Sequence, residues 1–363
     1  MKTSINLQFL SRMPDLSISG VALRGVAAAV PSRKEDNAEL ESLSEKSKKE
    51  IIERVGIRYR HLADGKTTAS DLCEASARKL LVELEWDSAD VGLLVFVTQT
   101  PDHTVPGSAS QLQQRLGLEQ NVIALDVNQG CAGYVYGMSI VSGMMKSFGI
   151  KKALLLVGDT ITKMVSPTDN SIRPIFADAG SATAFELDDN ASQMHFKLGS
   201  RGADFEAIHV PHGGFRFPTT EQSLEQKEVS EGVVRNMCQL SMNGQAVFTF
   251  GLSTVASEIK KLLEEQHLSA DDFDFLVLHQ ANQFLNDAIA RKVGFPKEKT
   301  PSSLYDFGNT SCATIPVTLV SQISDSLRTG KLNLLLSGFG VGLSWGNVIL
   351  TTDRLVCPDM IYV

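Results

Sequence analysis

Three residues in this sequence have side chains and surroundings suited to nucleophilic chemistry: Cys131, His279 and Asn309. Cys131 follows an apolar, β-branched run at 122–127 and precedes small residues at helical spacing. This pattern predicts a buried strand that leads into a helix. A thiol at the first turn of a helix faces unpaired backbone N–H groups and the positive end of the helix dipole, so we expect its thiolate to be favoured. Taken alone, a single intracellular cysteine is more often buried and inert.

The other two residues lie where strands are predicted to end. His279 closes the apolar run DFLVLH directly before a predicted helix, and catalytic groups of α/β sheets lie at the carboxyl ends of strands. Asn309 lies in the turn FGNTS, three residues before Cys312. Each has a structural alternative, since an isolated histidine is often a core residue and an asparagine at a turn often caps a helix.

The composition is that of a globular protein with a large core, because 43% of the 363 residues are hydrophobic and 21% are charged. A formal net charge of −8 without a basic run argues against a nucleic-acid partner. Five widely spaced cysteines form no CxxC pair, which indicates a reducing compartment. The sequence shows neither a signal peptide nor an apolar run long enough to span a bilayer. We therefore expect a cytoplasmic protein that does not insert into a membrane.

Strands alternate with helices along the chain, which predicts an α/β fold with largely parallel sheets. The second half repeats the plan of the first. The apolar run that ends at Gln280 resembles the run that ends at Gln99 (280 − 99 = 181), and Cys312 follows Cys131 by the same interval (312 − 131 = 181). We interpret this as an internal duplication, in which a pseudo-twofold axis brings Asn309 and Cys131 towards a common centre.

The duplication predicts three parts of the chain. These are an N-terminal extension at 1–17, a first half at 18–190 with the cysteine, and a second half at 191–363 with the histidine and asparagine. The second half carries one long polar insertion at 213–236. It is either a flap over a site or a solvated excursion.

The motifs around these residues resemble those of β-ketoacyl-acyl-carrier-protein synthase III, a family of the thiolase superfamily. They are, in order, DVNQGCAGYVYGM, HQAN, FGNTSCATIP and the closing GFGVGLSWG at 338–346. The likeness extends from about Ile18 to Leu350. It implies a thiolase-like, duplicated αβαβα five-layer sandwich, which in the family is normally a homodimer.

The resemblance also implies a mechanism. Cys131 would attack an acyl thioester to give an acyl-enzyme. His279 and Asn309 would then donate hydrogen bonds to the carbonyl oxygen of a malonyl-type thioester as CO₂ leaves. The oxyanion hole for acyl transfer would use the backbone N–H groups of Cys131 and Val341, with Asn282 as a supporting residue. The resemblance implies no cofactor and no metal, and it implies acyl-CoA or acyl-carrier-protein thioesters as substrates.

Positions that bind the acyl donor in the family differ here. The adenine clamp of coenzyme A corresponds to Glu50 and Asn170, whereas the arginine that reaches the CoA phosphates is retained as Arg54. The basic residues that dock the carrier protein correspond to Thr249 and Phe284. These differences favour another docking surface or another acyl donor.

The acyl pocket is also expected to differ. The phenylalanine that closes the pocket from the dimer partner corresponds to Val105. Because the ring is lost, we expect a deeper pocket that admits acyl groups longer or more branched than acetyl.

Three functions follow from these observations. The first is a decarboxylating ketosynthase of fatty acid or related acyl or polyketide biosynthesis, which the complete Cys–His–Asn set favours. The second is a non-condensing acyltransferase that passes the acyl group from Cys131 to an amine or hydroxyl, and the third is a catalytically idle structural partner.

Two further motifs carry less weight. The G-x-S-x-G match at 342–346 precedes a strand-like segment, and no later histidine exists to complete a serine hydrolase. His209 and His212 lack additional ligand residues nearby, so a loop role is favoured over metal binding.

Overall fold

The structure of the protein is a computed structural model that describes residues 16–363. Its strands are, in chain order, β1 (Leu16–Ile18), β2 (Val21–Val30), β3 (Lys34–Asp36), β4 (Tyr59–His61), β5 (Val91–Val97), β6 (Ile123–Val127), β7 (Lys152–Asp159), β8 (Ala179–Leu187), β9 (Met194–Ser200), β10 (Ile208–His209), β11 (Lys227–Ser230), β12 (Val233–Arg235), β13 (Ser241–Met242), β14 (Phe275–Leu278), β15 (Leu332–Gly340), β16 (Ser344–Thr352) and β17 (Ile361–Tyr362).

The α-helices are α1 (Glu45–Glu50), α2 (Ala69–Glu83), α3 (Ser108–Arg115), α4 (Gly133–Phe148), α5 (Gly244–Phe250), α6 (Ala256–Glu265), α7 (Gln283–Val293), α8 (Leu304–Phe307), α9 (Thr314–Gln322) and α10 (Ser324–Thr329). Single π-helical turns continue α1 at Ile51–Val55 and join α5 to α6 at Gly251–Val255. Within residues 16–363, no helix combines the length and the apolar character needed to cross a membrane.

Two sheets of related topology form the framework. The first has the order β17-β2-β8-β7-β5-β6, and the second has the order β1-β9-β16-β15-β14. When the terminal strands β1 and β17 are set aside, each sheet runs from its first strand in the chain to its last, its second-to-last and its second. In both sheets the second and second-to-last strands pair in parallel, as β5 with β7 and β14 with β15. The shared winding confirms the predicted duplication.

Each end of the described chain adds a strand to the sheet of the other half. β1 pairs antiparallel with β9 of the second sheet, and β17 pairs parallel with β2 of the first. Residues 1–15 of the predicted N-terminal extension lie outside the described residues. The division at residues 17 and 190 stays a prediction, whereas strand pairing assigns β1 to the second sheet.

Five layers follow from the packing of helices on these sheets. α4 contacts β5 and β7 of the first sheet and β15 and β16 of the second. α9 contacts β2 and β8 of the first sheet and β14 of the second. Both helices therefore lie between the sheets. α2 and α3 cover the outer face of the first sheet, and α6 and α7 cover the outer face of the second. Strands covered on both faces are apolar throughout, as in β5 (VGLLVFV). The predicted αβαβα sandwich is confirmed.

The insertion at 213–236 is fastened to the first half of the chain. Within it, β11 and β12 form a hairpin, and the Val234 N–H donates to the Thr168 carbonyl at 3.1 Å. Arg235 donates from Nη1 to the buried carboxylate of Asp169 at 2.9 Å. The insertion is therefore neither a loose flap nor a solvated excursion at this end.

We expect the Arg235→Leu substitution to lower the free energy of unfolding by about 2 kcal/mol, because it leaves the buried Asp169 carboxylate without its cation. Urea unfolding followed by circular dichroism measures this change. Arg216→Leu, at an exposed position of the same insertion, is the matched control and should be neutral. The double variant Asp169→Asn/Arg235→Leu should recover part of the lost free energy of unfolding. Equal stability of Arg235→Leu and wild type would contradict a stabilising role for the Arg235–Asp169 ion pair.

Candidate active site

Cys131 lies in a tight turn between β6 and α4. The Gly133 N–H donates to the Gly130 carbonyl at 2.6 Å, and α4 begins at Gly133, two residues after the cysteine. The glycine-rich loop after β15 passes directly over the thiol, since a Cβ added at Gly340 would lie 2.6 Å from Cys131 Sγ. Glycine at this position therefore permits the close approach, and the thiol retains only 6% exposure.

The electrostatics of Cys131 differ from the sequence-based prediction. Burial raises the pKa of the thiol to about 11, whereas hydrogen bonds from the backbone N–H groups of Val341 and Cys131 itself lower it. The buried carboxylate of Asp159 raises it further. The expectation that the helix terminus favours the thiolate is thus wrong for the resting enzyme, because desolvation outweighs the backbone dipoles. These two N–H groups are the ones predicted to form the oxyanion hole, and that role stays a prediction.

Asn309 is held against the first half of the chain. Its N–H donates to the Ile175 carbonyl at 2.9 Å, and its carbonyl accepts from the Ala177 N–H at 2.9 Å. The side-chain Oδ1 accepts from the Ser311 N–H at 2.9 Å. Because the amide oxygen is engaged in this way, the Nδ2 group is the part of the side chain available to donate a hydrogen bond.

His279 follows β14 and is 2% exposed. Its Nδ1 lies 2.7 Å from Thr314 Oγ1, and its ring contacts the edge of Phe339 at a centroid distance of 5.4 Å. Burial lowers the pKa of His279 to about 3, against an opposing contribution from the Ser311 backbone. The imidazole is therefore neutral at neutral pH.

Asp159 is a buried residue of this region that the sequence patterns did not single out. One carboxylate oxygen accepts from the Thr98 hydroxyl and the Gln99 N–H at 3.0 and 2.7 Å. The other accepts from the Ser311 hydroxyl at 2.6 Å and the Cys312 thiol at 3.3 Å. Burial raises the pKa of Asp159, and these hydrogen bonds lower it. The carboxylate thus joins strand ends of the first half to the turn that carries Asn309.

One cleft brings the predicted reactive residues together. It encloses about 880 Å³, open solvent at its mouth included, and Cys131, His279 and Asn309 all line it. Most of its other lining side chains are apolar, among them Ile161, Met164, Phe176, Ile208, Val210, Leu240, Met242, Val247, Phe248 and Leu285. The predicted residues Val341 and Asn282 also line the cleft. Asn282 caps α7, since its Oδ1 accepts from the Leu285 N–H at 2.8 Å.

A surface groove shares the lining residues Gly244, Phe248 and Asn282 with the cleft, and we infer that it is the mouth of the cleft. Among residues 16–363, Arg54 is the one cationic side chain that lines it. Arg54 pairs with Glu50 at 3.3 Å and lies over the ring of Phe284, which stacks on Phe248. Asn170 lies elsewhere, with its Nδ2 bonded to the Ser42 carbonyl. Glu50 and Asn170 therefore do not form a clamp for a purine ring.

The remaining sequence predictions have different outcomes. Val105 is 81% exposed and does not line the cleft of its own chain, so its expected role depends on a second copy. Ser344 begins a strand and donates to the Val341 carbonyl at 2.7 Å, which argues against a serine nucleophile. Cys312 is 1% exposed, as expected for a packing residue. His209 lines the cleft, whereas His212 does not.

Asp159 and Thr314 were missed at the level of sequence, and His209 was assigned to a loop without a role in the site. Asp159 has a usable signal, because it is the single charged residue that ends the buried run ALLLVGD, at a strand carboxyl end. Thr314 has no such signal, since a threonine at the start of a helix is common. His209 lies in a two-residue strand whose position depends on its pairing with β13.

Comparison with known proteins gives a consistent result. Residues 125–202 match the family model of 3-oxoacyl-[acyl-carrier-protein (ACP)] synthase III, and residues 263–352 match the model of its C-terminal region. A β-ketoacyl-[acyl-carrier-protein] synthase III of Acaryochloris marina is 33% identical over 337 residues, which cover 93% of this chain and 98% of the relative.

Solved structures agree. The 3-oxoacyl-(acyl-carrier protein) synthase of Burkholderia xenovorans LB400 is 34% identical, with a TM-score of 0.90 and coverage of 96% of this chain and 99% of that one. The priming β-ketosynthase of the R1128 polyketide pathway is 25% identical, with a TM-score of 0.79 and coverage of 95% and 99%. The chain belongs to the β-ketoacyl-[acyl-carrier-protein] synthase III family of the thiolase superfamily and is a transferase of the condensing type.

Proposed function

We propose that the protein loads an acyl group onto Cys131 and condenses it with a malonyl thioester, with loss of CO₂, in fatty acid or polyketide biosynthesis. The observation that carries this proposal is the single cleft lined by Cys131, His279 and Asn309. The names of the relatives and of the R1128 priming enzyme support the same reaction class.

In the first step, Cys131 Sγ attacks the carbonyl carbon of the acyl donor. The carbon–sulfur bond of the donor breaks, and the proton of the Cys131 thiol leaves with the departing thiol. The N–H groups of Val341 and Cys131, both of which lower the pKa of the thiol, are proposed to stabilise the oxyanion. One such donor contributes about 3 kcal/mol to transition-state stabilisation.

In the second step, the malonyl thioester loses CO₂ and its electron pair forms an enolate. The Nδ2 group of Asn309 and the Nε2–H of His279 donate to the thioester oxygen, which carries the negative charge. The enolate carbon then attacks the acyl carbonyl on Cys131, and the thiolate of Cys131 leaves. A neutral imidazole suits this role, because it donates a hydrogen bond without protonating the enolate.

His279 must carry its proton on Nε2 to act in this way. The Thr314 hydroxyl has two acceptors within reach, His279 Nδ1 at 2.7 Å and the Ser311 carbonyl at 3.2 Å. Donation to Nδ1, over the shorter distance, leaves the proton on Nε2. Thr314 is therefore proposed as a positioning residue that selects the tautomer.

The substrates and the assembly are further parts of the proposal. Acyl-CoA or acyl-carrier-protein thioesters would enter through the mouth beside Arg54. The five cysteines are free thiols, which suits a cytoplasmic protein. We also propose a homodimer formed through β6. This strand is an edge of the first sheet, and Ile123 and Val105 beside it are 38% and 81% exposed.

We expect wild-type protein to release CO₂ from malonyl-CoA or a malonyl-carrier thioester, and His279→Ala or Asn309→Ala to lower this rate at least about 100-fold. Loss of a donor to the enolate oxygen is the physical reason. Both variants should still form acyl-Cys131, which intact-mass spectrometry detects. If Cys131 is acylated but wild type releases no CO₂, the protein passes its acyl group to another acceptor. If no acyl-enzyme forms, the catalytic proposal is wrong.

We expect Thr314→Val to slow decarboxylation about tenfold and Thr314→Ser to retain it, with Cys131 acylation unchanged in both. The direct readout is the ¹⁵N chemical shift of His279, which should report a protonated Nε2 in wild type and a mixture of tautomers in Thr314→Val. A protonated Nδ1 in wild type would refute the role given to Thr314.

We expect light scattering after size exclusion to give twice the mass of the chain, and Ile123→Lys to shift the protein towards the single-chain mass. The lysine would place a charge against the second copy at the exposed end of β6. Val82→Lys, at an exposed position of α2, is the control and should leave the mass unchanged. A single-chain mass for wild type at tens of micromolar would contradict the dimer.

A further inference from the structure

Ser311 lies between the two residues that are proposed to stabilise the enolate. Its backbone N–H donates to Asn309 Oδ1 at 2.9 Å. Because a backbone N–H can only donate, the amide oxygen must face it, and Nδ2 is the group available to the substrate. The Ser311 carbonyl oxygen lies 3.2 Å from Thr314 Oγ1, which in turn lies 2.7 Å from His279 Nδ1. Ser311 therefore contacts Asn309 directly and His279 through one hydroxyl.

The backbone of Ser311 has a conformation that few side chains tolerate. Within residues 16–363, the residues other than glycine with a positive φ are Glu85, His267 and Ser311. Glu85 and His267 are exposed and follow the last turns of α2 and α6, where a left-handed residue commonly ends a helix. Ser311 is instead buried beside the cleft, with a φ of 55°. A residue with a Cβ is strained there, so its surroundings must hold it in place.

The hydroxyl of Ser311 supplies this restraint. Oγ donates to Asp159 Oδ2 at 2.6 Å, and both residues are buried. The other oxygen of Asp159 accepts from the Thr98 hydroxyl and the Gln99 N–H, directly after β5. The carboxylate is thus fixed by the first half of the chain. The left-handed turn that orients Asn309 therefore depends on a hydrogen bond to the other half of the fold.

We propose that Ser311 is a positioning residue for decarboxylation. Its left-handed backbone, held by the bond from its hydroxyl to Asp159, orients the Asn309 amide and the hydroxyl beside His279 for donation to the enolate oxygen. In the proposed reaction, acylation of Cys131 requires neither of these donors, so it depends far less on Ser311. Displacement of a reacting group by about 1 Å can cost about 100-fold in rate. The inference rests on the proposed condensing function.

The test compares two substitutions of Ser311. Ser311→Ala removes the hydroxyl but keeps a Cβ that resists a φ of 55°, whereas Ser311→Gly removes the hydroxyl and permits that φ. We expect the release of CO₂ from malonyl-CoA to fall about 100-fold in Ser311→Ala and about tenfold in Ser311→Gly. Cys131 is loaded from whichever of acetyl-, butyryl- and hexanoyl-CoA acylates wild type fastest, and intact-mass spectrometry follows the rate. Loading should fall far less than decarboxylation in both variants, and it also reports that they are folded.

Thr310→Val is the matched control. Thr310 is the buried neighbour of Ser311, and within residues 16–363 its hydroxyl has no hydrogen-bond partner. The substitution removes a buried hydroxyl without loss of a hydrogen bond, so both rates should equal those of wild type.

Three results would each overturn the inference and leave the proposed function intact. They are a wild-type rate of decarboxylation in Ser311→Ala, a rate in Ser311→Gly no higher than that in Ser311→Ala, and equal losses of loading and decarboxylation. If wild type is loaded but releases no CO₂, or if none of the three thioesters loads it, the proposed function and this inference fail together.

Discussion

The buried carboxylate of Asp159 is the interaction on which the geometry of the site depends. A carboxylate taken out of water costs several kcal/mol unless its lone pairs are satisfied. Here the donors come from two places, the strand end at 98–100 in the first half and the turn at Ser311 and Cys312 in the second. Because neither half alone satisfies Asp159, the carboxylate favours the arrangement in which Asn309 and Cys131 line one cleft. Ser311 has a φ of 55°, and its hydroxyl and N–H bonds hold it in that conformation.

The same close packing sets the chemistry of the cysteine. Gly340 lies so near Cys131 that no side chain fits between them, and the backbone N–H of Val341 reaches the sulfur as a result. The same contact excludes water, which raises the pKa of the thiol. Burial therefore disfavours the resting thiolate while it strengthens each hydrogen bond to a charge that develops during the reaction.

The sequence was sufficient to predict the duplicated fold and to single out Cys131, His279 and Asn309, because these depend on hydrophobic periodicity and on residues at strand ends. It failed where distant segments decide the outcome. The thiol was expected to be activated, and only the approach of Gly340 shows that burial dominates. The pairing of β1 with β9 joins residues 16–18 to residues 194–196, far beyond any local pattern. The polar neighbour of His279 Nδ1 is the Thr314 hydroxyl of α9, at 2.7 Å, which no spacing rule identifies.

Chemistry and specificity come from different parts of this fold. Cys131 and His279 follow the strands β6 and β14, whose positions are fixed by a core on both faces of the sheets, whereas Asn309 follows the short helix α8. Much of the apolar lining of the cleft comes instead from a 3₁₀ turn at Ile161–Met164 and from the short strands β10 and β13. These segments have little regular structure of their own, so side chains on them can change without disturbing the sheets. For the same reason, family resemblance predicts the reaction of this enzyme better than it predicts the acyl group that the enzyme accepts.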